Sequence, residues 1–149
     1  MSALRWARIA YSLVAWLFAI GTIVQVYLAG NAISNLGGSG NFELHRNIGY
    51  AVGLLTLLLV VLSLAGRMPL RVVGASGLLL VLMAVQSVLV AMKTSTPQVA
   101  ALHPVNGFLI VLVAFWVAWR TLGYIRAPLP STPPPPRQMA GPATDNPAP

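Results

Sequence analysis

The chain has 149 residues, too few for several sizeable soluble domains, and 57% of them are hydrophobic against only 7% charged. Soluble proteins carry about 25% charged residues, so the polar shell of a water-exposed fold is missing and the apolar surface must face lipid. The net charge of +7 does not point to nucleic acid, because the basic residues fall between apolar runs with no groove-reading motif.

Charge-free windows run from Ile9 to Phe42, Asn47 to Gly66, Val72 to Met92 and Thr94 to Trp119. Each holds about 20 apolar residues, enough to cross a hydrocarbon core as a helix. Helices are predicted near Trp6–Ala29, Leu44–Ala65, Leu70–Ala91 and Leu102–Thr121; barrel-type alternation is absent. The first resembles a secretory signal in following Arg5 and Arg8. Its apolar run is too long for one and no Ala-x-Ala site follows, so it is expected to stay uncleaved. Gly30–Asn41, with Gly37-Gly38-Ser39-Gly40, predicts a flexible outer loop. Residues 1–127 thus form a transmembrane domain, and 128–149 a disordered, Pro-rich cytoplasmic tail.

Orientation follows from Lys and Arg. Arg5, Arg8, Arg67, Arg71, Arg120, Arg126 and Arg137 lie on one side, Arg46 and Lys93 on the other. That bias places both termini in the cytoplasm of a multi-pass protein of the inner (plasma) membrane. Trp6, Trp116, Trp119 and Tyr124 form an inner aromatic belt; Tyr27, Phe42 and Tyr50 form an outer one. The fold class is an all-α, four-transmembrane-helix up-down bundle in contact with the lipid bilayer, with basic edges suited to anionic headgroups.

The chain's only histidines, His45 and His103, occupy matching places. Leu44-His45-Arg46-Asn47-Ile48-Gly49 opens the second helix and Leu102-His103-Pro104-Val105-Asn106-Gly107 the fourth. Both read Leu-His-x-x-x-Gly, with Gln25 and Gln86 upstream, so helices 1–2 and 3–4 read as a two-fold parallel repeat. A glycine four residues after a histidine lies on the same face, one turn deeper. That face continues to Gly53 in the second helix and through Val111 to Ala114 and Ala118 in the fourth. Small residues there serve close helix packing or a flat ligand laid against the backbone.

Two imidazoles at equal depth on alternate helices face each other in an up-down bundle. Haem iron takes two axial ligands, whereas a structural zinc takes four protein ligands and a catalytic one about three. With no cysteine in the chain, zinc is poorly served, and covalent haem attachment is excluded. Copper held by both histidines and a thioether from Met83 or Met92 is a further option, although such methionines commonly fill gaps. Haem b therefore ranks first. Arg46 and Lys93 are placed to pair with its propionates, and Gln25 and Gln86 to orient the imidazoles. The competing reading makes the histidines structural. No histidine lies on the inner side, so an electron partner must be an outer-side protein or a lipid-soluble quinone. Glu43 and Asp145 are the only carboxylates, and no catalytic arrangement can be drawn from them.

Residues 30–50, through Phe42-Glu43-Leu44-His45-Arg46-Asn47-Ile48-Gly49-Tyr50, together with Ala101-Leu102-His103-Pro104-Val105-Asn106-Gly107, resemble a bacterial family of small four-helix membrane proteins of unknown function. The resemblance covers all four spans, excludes the tail, and carries its more specific motif at His103. The architecture is also similar to one half of haem A synthase, a four-helix bundle with a histidine on its second and fourth helices. That likeness implies haem at His45 and His103, and a homodimer would complete an eight-helix assembly. Two functions follow: a b-type haem protein for electron transfer, redox sensing or haem handling, or a non-enzymatic membrane subunit or assembly factor.

Overall fold

The computed structural model of the protein describes residues 2–34 and 41–126; the Pro-rich tail lies outside them. Four long helices, α1 (Ala3–Ser34), α2 (Glu43–Ala65), α3 (Leu70–Ala91) and α5 (His103–Arg126), are joined by short connections, one of which holds a single helical turn, α4 (Pro97–Ala100). All four long helices have the length and hydropathy to cross a membrane. α2 and α3 follow the predicted spans closely, and α5 begins as predicted but runs on past Thr121 to Arg126. α1 also overruns, through Gly30 to Ser34, where a flexible loop was expected from Gly30. The lone glycine weakens a helix only slightly, and the residues around it favour one. The glycine cluster of the predicted loop lies outside the described residues.

α1 packs on α2 and α5, and α3 packs on the same two helices, giving a closed ring in chain order. The diagonals are α1–α3 and α2–α5. One end of the bundle carries Arg5, Arg8, Arg67, Arg71 and Arg120; the other carries both histidines.

The core follows helical periodicity. Tyr11, Ala15, Phe18 and Ala19 of α1 are buried, as are Val52, Thr56, Leu59 and Ser63 of α2. Val72, Ser76 and Leu79 of α3 and Ile110, Ala114, Val117, Ala118 and Thr121 of α5 complete it. Small side chains let the helices approach without a water-driven hydrophobic force, as membrane bundles require. Outward residues are large and apolar: Leu70 is 87% exposed and Trp119 70%, a surface suited to lipid.

Buried hydroxyls tie the arginine half together. Ser76 spends its proton on the Val72 carbonyl (3.0 Å), so the Tyr11 hydroxyl donates to Ser76 Oγ at 2.8 Å, across the α1–α3 diagonal. Thr121 likewise donates to Ala118, and Ser12 donates to Thr121 at 2.8 Å, joining α1 to α5. In hydrocarbon such groups have no water to fall back on.

The α2–α3 turn departs from the usual glycine pattern. Met68 N–H donates to the Ser63 carbonyl and Arg67 N–H to the Leu64 carbonyl, the paired bonds of a Schellman ending. The residue in the left-handed position is Arg67, with φ 47°. Glycine sits one place earlier, where a Cβ would lie 3.0 Å from the Leu62 carbonyl oxygen and in ordinary contact with α1, 3.4 Å from Arg8 Cγ and 3.6 Å from Arg8 N. Arg8 Nε also donates to the Gly66 carbonyl at 3.0 Å.

A left-handed conformation costs a residue with a Cβ about 1–2 kcal/mol, part of which glycine gives back through its unfolded-state entropy. Arg67→Gly should therefore stabilise the bundle by about 0.5–1 kcal/mol in detergent unfolding. Tyr11→Phe, which removes the diagonal hydrogen bond, should destabilise it by about 1 kcal/mol.

Candidate functional site

At the opposite end the two histidines meet across the α2–α5 diagonal. Their ring centres are 6.3 Å apart, with the planes at 67°. Both rings are half-buried, and Phe42 stands edge-on to His45.

The two hairpins hold their histidines alike. His45 Nδ1–H donates to the main-chain carbonyl of Gln25 on α1 (3.1 Å), and His103 Nδ1–H donates to that of Gln86 on α3 (3.4 Å). A carbonyl only accepts, so a neutral ring at either place carries its proton on Nδ1 and leaves a lone pair on Nε2. The glycines one turn deeper complete the match. A Cβ on Gly49 would lie 3.4 Å from Gln25 Oε1, and one on Gly107 3.3 Å from Gln86 Nε2. In each Leu-His-x-x-x-Gly motif the glycine makes room for the glutamine of the preceding helix. At both positions the packing partner is the glutamine side chain. Gly53 likewise faces Met83, whose Cε would come within 3.4 Å of a Cβ there.

The side-chain amides break the symmetry. Asn106, buried on α5, donates to the Leu82 carbonyl at 2.9 Å and to Gln86 Oε1. This orients the Gln86 amide so that its Nε2–H donates to His103 Nε2 at 3.2 Å. His103 therefore has both nitrogens engaged. Gln25 has no such partner among the described residues, where its Nε2 is buried without a hydrogen bond. Each imidazole meets the main-chain carbonyl of a glutamine, and only Gln86 also reaches a ring nitrogen with its side chain. Sequence reading missed Asn106, although it follows His103 by three residues and so lies on the same face.

Arg46 and Lys93 are exposed at this end. Among the described residues no group of three or more His, Asp or Glu side chains could hold a metal ion. Met83 packs against Gly53, the gap-filling use of methionine. Beside the histidines, a cleft of about 320 Å³ between α2 and α3 is lined by Gly49, Gly53, Met83, Ala84 and Ser87, among others. It begins one turn below His45 and includes neither imidazole.

Fold and site define a small four-helix membrane bundle with a histidine pair at one end. Residues 25–94 match the model of a family of unknown function (DUF6220), so over this segment the chain is similar to that family. The segment holds Gln25, His45, Gly49 and Gln86 and stops before His103. It is thus narrower than the four-span resemblance read from sequence and leaves out the motif taken as the more specific. No curated protein and no solved structure matches the chain, so the likeness to half of haem A synthase stays one of sequence reading.

The unequal glutamines generate a stability test. Gln86→Met should cost about 1–3 kcal/mol, because it strands Asn106 and His103 Nε2. Gln25→Met should cost close to nothing, since the amide it removes is already unpaired. Denaturant unfolding in one detergent would measure both, and equal losses would contradict the assigned network.

Proposed function

We propose that the protein binds one haem b at the histidine end, with His45 and His103 as axial ligands, for electron transfer, redox sensing or haem handling. The observation that carries this reading is the ring pair. Metal–imidazole bonds of about 2.0–2.1 Å put two ligating rings about 6 Å apart, centre to centre, and the observed separation is 6.3 Å. Both Nδ1 atoms are anchored on main-chain carbonyls, the outer contact that fixes a ligating histidine's tautomer and raises its basicity. His45 Nε2 is ready to bind; His103 Nε2 must first release the Gln86 amide.

Haem would supply one-electron exchange at a potential set by its axial ligands and burial. The chain would hold two neutral imidazoles across the axis and keep water from their inner side. Gln25 Nε2, buried without a partner among the described residues, supports the reading as a donor on the residue whose carbonyl holds His45. Arg46 and Lys93, exposed at this end, would pair with the propionates. With the arginine end cytoplasmic in a plasma membrane, an electron partner would be an outer-side protein or a quinone.

One observation favours a second reading, a non-enzymatic membrane subunit with structural histidines. His103 is fully satisfied within the protein, as a structural residue would be.

The test is the optical spectrum of detergent-purified protein expressed with ample haem, oxidised and then reduced. A Soret band that sharpens on reduction, and is lost in both His45→Ala and His103→Ala, is the expected result. A colourless wild type would assign the histidines to the second reading.

A further inference from the structure

We propose that the arginine end holds a specific site for the phosphate headgroup of an anionic phospholipid, at the corner where α1 meets the α2–α3 turn, with Arg8, Arg67 and Arg71 as its ligands. It is independent of the haem reading, being at the other end of the bundle. Three observations lead to it.

First, Arg8 is fastened to this corner. Its Nε donates to the Gly66 carbonyl at 3.0 Å, which fixes the guanidinium beside the turn with its two terminal nitrogens left for another partner. Arg8 packs directly on Gly66, its Cγ 3.4 Å and its N 3.6 Å from where a Cβ would stand. Arg67 is the next residue of the turn, and Arg71 lies in the first turn of α3. Both are exposed. Arg67 and Arg71 thus flank the same turn to which Arg8 is fastened.

Second, nothing at this end neutralises them among the described residues. The only described carboxylate, Glu43, opens α2 at the histidine end, where it is hydrogen-bonded to Asn41. Guanidinium groups pair with phosphate by two parallel hydrogen bonds, and one that lacks a carboxylate partner is available for that geometry.

Third, Arg67 holds the left-handed position of the turn at φ 47°, where glycine is the usual occupant. The residue present there is the one that adds a charge.

The occupant is a lipid headgroup because the site stands at membrane-interface depth. Trp6 is 59% exposed and Trp119 70%, large aromatic rings of the kind found at the headgroup level. Arg120 stacks over the Trp116 ring at 5.7 Å and marks the same level on α5. Acyl chains would lie along the exposed aliphatic surface of the helices.

The unusual backbone of Arg67 supplies a clean test. Arg67→Gly removes a charge while relaxing the turn, so a loss of lipid binding cannot come from misfolding. Wild-type protein in neutral detergent would be titrated with phosphatidylglycerol, and separately with phosphatidylcholine, following the thermal unfolding midpoint. Phosphatidylglycerol should raise the midpoint and phosphatidylcholine should not. Arg67→Gly should begin from a higher midpoint yet bind phosphatidylglycerol about fivefold more weakly, the worth of one basic residue near an anionic surface. Arg71→Gln should weaken binding by a similar factor, whereas Arg46→Gln, at the histidine end, should leave it unchanged. Equal affinities for wild type and Arg67→Gly would overturn the site. A midpoint rise reproduced in full by inorganic phosphate would overturn the lipid as its occupant in favour of a soluble anion.

Discussion

A polar side chain buried in hydrocarbon has no water to return to, and most of the internal order of this bundle follows from that constraint. Apolar packing alone leaves helices in lipid free to choose their rotation, since lipid tails are as apolar as leucine. Here the rotation is set where hydroxyls, amides and imidazoles must find one another. Tyr11 reaches Ser76 across one diagonal, and His45 faces His103 across the other. Ser12 with Thr121 and Asn106 with Leu82 and Gln86 bind neighbouring helices between those levels. Each contact joins positions far apart in the chain, so together they select one arrangement from many with similar apolar burial.

The same requirement prepares the histidine end for chemistry. Each imidazole gives its Nδ1 proton to a carbonyl of the preceding helix, which leaves the Nε2 lone pair as the only free function of the ring. The two halves then diverge. Asn106 locks the Gln86 amide onto His103, while the Gln25 amide nitrogen has no partner among the described residues. One histidine is held in reserve by a displaceable hydrogen bond and the other stands open. A ligand that bound both would exchange one internal hydrogen bond for a stronger bond to metal and could satisfy Gln25 in the process.

The spans were legible because charges delimit them: α3 runs from Leu70 to Ala91, the predicted bounds. α1 runs past the predicted Ala29 to Ser34, since one glycine inside a long helix costs only a fraction of the stability its neighbours supply. The histidine pair was legible through the repeated Leu-His-x-x-x-Gly, and the glutamines through their matching places upstream. What the glycines serve was not legible, since packing and ligand contact leave the same pattern in sequence. Asn106, Tyr11 and Ser76 escaped notice because their roles depend on which helices lie across the axis. Arg67 escaped because nothing in Gly66-Arg67 tells which of the two adopts the left-handed conformation.

The central claim is that the bundle presents two neutral imidazoles whose Nε2 lone pairs are free to bind a metal or displaceable from an amide. The most direct measurement is ¹⁵N NMR of haem-free protein labelled at its two histidines, recorded at mildly alkaline pH. Both rings should report a protonated Nδ1 and an unprotonated Nε2, with His103 Nε2 showing the added signature of an accepted hydrogen bond that Gln86→Met removes. A proton on Nε2 of either ring would contradict the account, because that ring would face its partner with a donor and have no lone pair to give.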